Sequence, residues 1–164
     1  MIHASIIKIQ AKQMSAKTNH WKKGRGKLGI LEPLLGNWEA SGTSPMGKVK
    51  CTRTFEKVLG GNYIQLVAKW EFGDKTYQEQ ALFGIENSQL FFRSFTSDGK
   101  NSYGTLSEAT DIHPEAVCFE AQMPAGTARM IYWPDAEEGF HWAVESKNKK
   151  GWNRFTEHHY KTMG

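Results

Sequence analysis

Between residues 63 and 72 the side chains take turns. Ile64, Leu66, Ala68, Trp70 and Phe72 share one parity, and Tyr63, Gln65, Val67, Lys69 and Glu71 share the other. This is the two-residue period of a strand with one face buried. The same reading places strands near 37–43, 49–58, 75–85, 89–96, 102–107, 116–123, 127–133, 140–147 and 152–161. Turn chemistry separates almost every pair, as in Gly60-Gly61-Asn62, Gly73-Asp74, Glu86-Asn87-Ser88, Ser97-Asp98-Gly99 and Pro124-Ala125-Gly126. About ten short strands at regular spacing, with no helical period between them, predict an all-β, antiparallel, up-and-down barrel. Closure would remove the exposed sheet edges. A two-sheet sandwich is the structural alternative.

Residues 28–35 read as one short N-terminal helix, with Pro33 tolerable near its first turn. Gly36-Asn37-Trp38 follows at once. A glycine at that corner lets the chain swing from helix to strand, and the indole is expected to plug one end of the barrel. The longest break, 109–115 with Pro114, is expected to cross one mouth.

Charge divides the chain unevenly. The 164 residues carry a formal net charge of +4. Seven basic groups and no acidic one fall in residues 1–31, whereas the remainder holds 14 basic and 17 acidic groups. Residues 1–27 are therefore expected to be a basic, flexible arm, and 28–164 the barrel domain. Met14 offers an alternative start. The barrel lacks the basic footprint of a nucleic-acid binder, so no specific nucleic acid is expected. Lys8 interrupts the first apolar residues before they reach the length of a signal peptide, and no window approaches a membrane span. A cytoplasmic location is the resulting expectation. Cys51 and Cys118 lack metal-ligand or redox spacing and are expected to be buried free thiols. Oligomeric state is not encoded in any motif.

Several short motifs, in this order, resemble the DUF1579 family: Leu35-Gly36-Asn37-Trp38, Leu59-Gly60-Gly61, Phe83-Gly84-Ile85, Ser97-Asp98-Gly99, and a last strand from Gly151-Trp152-Asn153-Arg154-Phe155 to Tyr160-Lys161. The resemblance covers roughly residues 28–162 and implies a lipocalin-like, calycin-type barrel. In lipocalins a basic residue of the last strand packs on the Gly-x-Trp indole, which makes Trp38 and Arg154 the implied barrel-end pair. Fatty-acid-binding proteins share that opening and hold a carboxylate with arginine. Nitrobindins also share it and bind heme through a late histidine. His158 is the candidate iron ligand under that reading, with His159 beside it on the opposite face of the same strand, although the segment 155–161 departs from the nitrobindin pattern.

Three arginines sit among apolar neighbours: Arg53 between Cys51 and Phe55, Arg93 between Phe91 and Phe95, and Arg129 between Thr127 and Ile131. If they point inward they require anions, because an unpaired buried charge is costly. Glu79, Glu120 or Glu145 could supply them, or a ligand carboxylate could engage the forked guanidinium. Apolar residues also occupy the opposite parity, as with Leu90 and Phe92 beside Arg93, so outward placement stays open. Trp70, Phe92 and Met130 are the candidate apolar lining of a lumen. Nucleophile-elbow, zinc-protease, phosphate-loop and dinucleotide motifs are all missing, so enzymatic activity is not expected. The leading expectation is a barrel that binds a small apolar or amphipathic molecule, with carboxylate-bearing ligands favoured by the arginines. The alternatives are a heme protein using His158, and an interaction module without ligand.

Overall fold

The computed structural model describes residues 20–44 and 47–163. A 3-10 helix, Lys27–Leu34, leads into ten strands: β1 (Gly36–Ser44), β2 (Gly47–Val58), β3 (Tyr63–Phe72), β4 (Lys75–Glu86), β5 (Gln89–Thr96), β6 (Asn101–Ser107), β7 (Val117–Met123), β8 (Gly126–Pro134), β9 (Phe140–Asn148) and β10 (Gly151–Thr162). Each strand pairs antiparallel with its sequence neighbour, and β10 returns to β1. The sheet is a closed barrel, which excludes the sandwich. The alternating pattern sets the element limits to within a residue or two. Between β4 and β5, Asn87 and Ser88 both adopt left-handed backbone, φ 52° and 63°, as a two-residue hairpin of the primed type requires.

Burial follows the parity of each strand. In β2, Val49, Cys51, Arg53 and Phe55 are all buried, whereas Lys48, Lys50 and Glu56 are exposed. The helix caps one end, where Leu31 and Leu34 are fully buried. Trp38 lies beneath it, donating its indole N–H to the Leu34 carbonyl at 2.7 Å. Its ring meets Phe140 edge-on, with centroids 4.8 Å apart, and Phe140 contacts Phe55, Tyr132 and Tyr160 in turn. Each such aromatic contributes roughly 1.5–3 kcal/mol by leaving water. The turns joining β1–β2, β3–β4, β5–β6, β7–β8 and β9–β10 all fall at the other end.

Two sequence expectations change. The arm read over 1–27 lies largely outside the described residues, but its last part is not free: Trp21 is buried, 6.4 Å from Phe140. The segment between β6 and β7 does not cross a mouth. It packs Ala109, Ile112 and Ala116 against Cys118, Ile131 and Trp133 on the outer face of β7 and β8, burying a second apolar cluster. Both cysteines are free and buried. Among the described residues no helix is long and apolar enough to cross a membrane.

The joins of the barrel are unequal. β10 matches β9 along most of its length, but among the described residues it meets β1 at two pairs, Trp38 with Thr162 and Glu39 with Lys161. Beyond them β1 and β10 diverge along a groove lined by Glu39, Lys48, Lys50 and Lys161.

Candidate functional site

Arg53 stands at the centre of the lumen. Its place in β2, opposite Trp38 on one side and Ala68 on the other, turns it inward at mid-height, and none of its surface reaches solvent. Its Nη1 donates to the Tyr132 hydroxyl at 2.8 Å, and that hydroxyl lies 3.7 Å from Met130 Sδ. Four aromatic rings enclose the guanidinium, with Trp142 at 4.2 Å, Tyr160 at 5.4 Å, Trp70 at 5.5 Å and Tyr132 at 5.7 Å from its carbon. Two further donors, Nε and Nη2, have no well-formed hydrogen bond among the described residues. The Trp142 indole N–H beside them is likewise unmatched, and the Tyr160 hydroxyl, also without a well-formed bond, lies close enough to Arg53 and Cys51 to act on both. Buried polar groups are ordinarily satisfied, so four orphan atoms in one cage stand out.

The cage sets the ionisation of its members. Burial opposes the charge of Arg53, but the surrounding Tyr132, Tyr160 and Glu79 more than offset it, and the guanidinium remains charged. Burial pushes the Tyr132 and Tyr160 phenols up despite the nearby cation, so both stay protonated. Burial likewise raises the Cys51 thiol to about 11. His158, also inward-facing, is held below its ordinary value by burial and then by Arg53. Among the described residues the guanidinium makes no ion pair with a carboxylate. Glu79 is the acidic group that acts on it, and that side chain accepts a short hydrogen bond from buried Ser94.

Toward the end of the barrel away from the helix, a cavity of about 370 Å³ opens above this cage. Its wall is mostly apolar, formed by Trp70, Phe92, Phe119, Met130, Trp142 and Val144 among others, with Glu79 as an acidic member. Trp70 and Trp142 belong to both cavity and cage. The volume is at the lower end of the roughly 300–1,000 Å³ usual for small-molecule sites.

The structure therefore brings Arg53, Trp70, Phe92 and Met130 together, keeps Arg129 at the cavity wall with its charge engaged elsewhere, and sends the remaining expected residues away. Arg93 points outward, half-exposed, 3.6 Å from Glu86 and stacked over Tyr103. Its neighbour Phe92 takes the inward parity. Arg129 is buried and forms part of the cavity wall, but its guanidinium is turned toward the outer face. It donates to Glu145 and Asp111, both at 2.8 Å, and stacks 4.3 Å from the Trp152 ring centroid. Both carboxylates neutralise it, so it is not available to a luminal ligand. Arg154 joins the same network through Glu145 and Glu157 and lies over Trp133. It does not reach Trp38, because the register sets Trp38 opposite Thr162, eight residues along β10. His158 turns inward but packs on Trp142 and Tyr160, with ring centroids 5.6 and 6.1 Å away, and does not line the cavity. A heme ligand must present its nitrogen to open space, so the fit is poor.

Sequence reasoning missed the orphan pair Trp142 and Tyr160. Their parity was readable, since Phe140, Trp142 and Val144 alternate like the clear strand at 64–72. Their height relative to Arg53 depended on a register that only closure fixes. No protein-family model matches this chain, and no curated protein matches it.

Proposed function

We propose that this chain is a lipocalin-like binding barrel, of the kind its DUF1579-like motifs suggest, that holds a small amphipathic molecule in its lumen. An anionic head, best a carboxylate, engages Arg53, and an apolar body rests among Trp70, Phe92, Phe119 and Met130. One observation carries this reading: a fully buried guanidinium that, among the described residues, has two donors without a well-formed hydrogen bond and no ion-paired carboxylate, under an apolar cavity. Such a charge is unfavourable to bury alone, and its fork suits two carboxylate oxygens. The orphan indole N–H and phenol supply further donors at the same level. Burial strengthens each of these contacts by excluding water. The Trp70 and Trp142 rings must shift for a head group to pass from cavity to cage.

The test uses the full chain and a fluorescent fatty-acid analogue, displaced by unlabelled medium-chain carboxylates and by the alcohols of equal length. The reading expects saturable one-site binding, with carboxylates at least about tenfold tighter than alcohols, the factor one charge-assisted hydrogen bond brings. Arg53→Met should abolish that preference, and Arg93→Ala should leave it intact. Equal affinity for acid and alcohol in the parent protein, or an unchanged preference in Arg53→Met, overturns it.

A further inference from the structure

Outside the barrel, at the helix-capped end, three potential metal ligands converge from three segments. His141 of β9 and His159 of β10 are direct cross-strand partners, so their imidazoles emerge side by side on the outer face, ring centroids 4.6 Å apart and planes inclined by 22°. Asp135, in the turn between β8 and β9, reaches over both. Its Oδ1 lies 2.7 Å from His141 Nε2 and 3.7 Å from His159 Nε2. The Glu138 carbonyl oxygen is 3.0 Å from His159 Nε2. One donor atom from each of the three side chains lies within 4.8 Å of the other two.

We infer that Asp135, His141 and His159 form a binding site for a divalent metal ion of the zinc type. A tetrahedral zinc with bonds of about 2.0–2.1 Å needs its ligand atoms roughly 3.3 Å apart. The distances of 2.7, 3.0 and 3.7 Å bracket that edge, so small side-chain shifts suffice. Two imidazole nitrogens and one carboxylate select zinc over calcium or magnesium, which want oxygen alone. The fourth position belongs to water or to the Glu138 carbonyl.

The surroundings hold the ligands in place as an outer layer does around a metal. The Asp135 Oδ2 accepts the backbone N–H groups of Glu137 and Glu138 at 2.9 and 3.3 Å, which leaves Oδ1 directed at the imidazoles. Trp133 stacks on His141, 5.3 Å between centroids, and fixes that ring. The turn itself is anchored: Gly139, at φ 70°, is pressed against Tyr160, where a Cβ would come within 1.9 Å of the carbonyl oxygen. The three side chains are 20–33 % exposed, so an ion can enter.

Calorimetric titration of the full chain with Zn²⁺ tests this directly, and Co²⁺ serves as a spectroscopic probe. One equivalent is expected to bind, with a Co²⁺ spectrum free of thiolate charge-transfer bands and no response to Ca²⁺. His141→Gln and His159→Gln keep polar side chains of similar reach. Each should weaken Zn²⁺ by more than the roughly tenfold that loss of an outer hydrogen bond brings. Asp135→Asn should weaken it too, and His158→Ala should not. Absence of saturable Zn²⁺ binding, or affinity indifferent to both glutamine variants, overturns the inference. If a glutamine variant melts early, the Zn²⁺-induced rise in Tm of the parent, absent with Ca²⁺, decides.

Discussion

Replacing Arg53 by methionine separates a structural role from a binding role. The guanidinium is fully buried with one hydrogen bond, to Tyr132, and four aromatic faces. Removing its charge relieves a desolvation penalty of several kcal/mol but gives up the attraction of Tyr132, Tyr160 and Glu79 that offsets it. Methionine is similar in length and adds about 1.5–3 kcal/mol of apolar burial. Against this stand the lost hydrogen bond, about 1.5–3 kcal/mol for a charged donor, and the Trp142 contact at 4.2 Å, about 2 kcal/mol when desolvated. These terms nearly cancel, so the variant's stability should lie within about 2 kcal/mol of the parent's, or roughly 8 °C in Tm for a chain of this size. Arg53→Met should therefore melt close to the parent without ligand while losing carboxylate binding, the pattern expected of a residue kept for function rather than stability. Arg53→Lys keeps a charge but loses the fork, and should recover little affinity. Urea unfolding followed by far-ultraviolet circular dichroism supplies the measurement. A fall of more than about 2 kcal/mol in Arg53→Met, relative to the parent's stability, would show that the caged cation holds the barrel together and would refute the reasoning.

Three further outcomes follow from the structure. Asp111 is held below its ordinary value by its hydrogen bonds to Arg129, and Asp135 is brought to about 2 by turn N–H groups and His141, which outweigh its burial. Their contribution is complete above the unfolded carboxyl value of about 3.9 and drains as pH falls toward their folded values. Urea midpoints between pH 5 and pH 2 should drop more steeply for the parent than for Asp135→Asn, and parallel curves would contradict this. Gly139→Ala meets both a left-handed backbone and the Tyr160 carbonyl. A loss of at least about 2 kcal/mol is expected in the same assay. Burial raises the Cys51 and Cys118 thiols to about 11 and about 12, so an aromatic disulfide reagent at neutral pH should label neither until the protein is unfolded.

The strands were legible because most have one dry face, and alternation survives even in the presence of scattered polar residues. Arg53 was legible for the same reason: Cys51 and Phe55 flank it on the buried parity. Arg93 was not. The outer face of β5 carries its own aromatic group, with Phe91 packed on Tyr103, so both parities looked apolar. Arg129 misled in a related way, since the segment after β6 covers the outer wall and buries an exterior arginine as thoroughly as an interior one. The pairing of Trp38 with Arg154 failed on register. A shift between Arg154 and Thr156 in β10, together with the short contact to β1, fixes which residues meet, and neither leaves a mark in composition. The histidine and aspartate cluster needed the same information, because only the pairing of β9 with β10 sets His141 beside His159.

The short contact between β1 and β10 has a dynamic meaning. A cylinder fastened all round except along one slit parts there first, so the slit offers its interior a second doorway besides the open rim. Residues 151–160 then behave as a border despite sitting in a ring. On the unpaired stretch the amides directed at the opening should trade hydrogen for deuterium quickly, while those tied to β9 stay slow. Glu39 and Lys161, the last joined pair, mark where the seam ends, and Lys48 and Lys50 beside the groove add charges that keep a foreign strand from docking where the wall is unsewn.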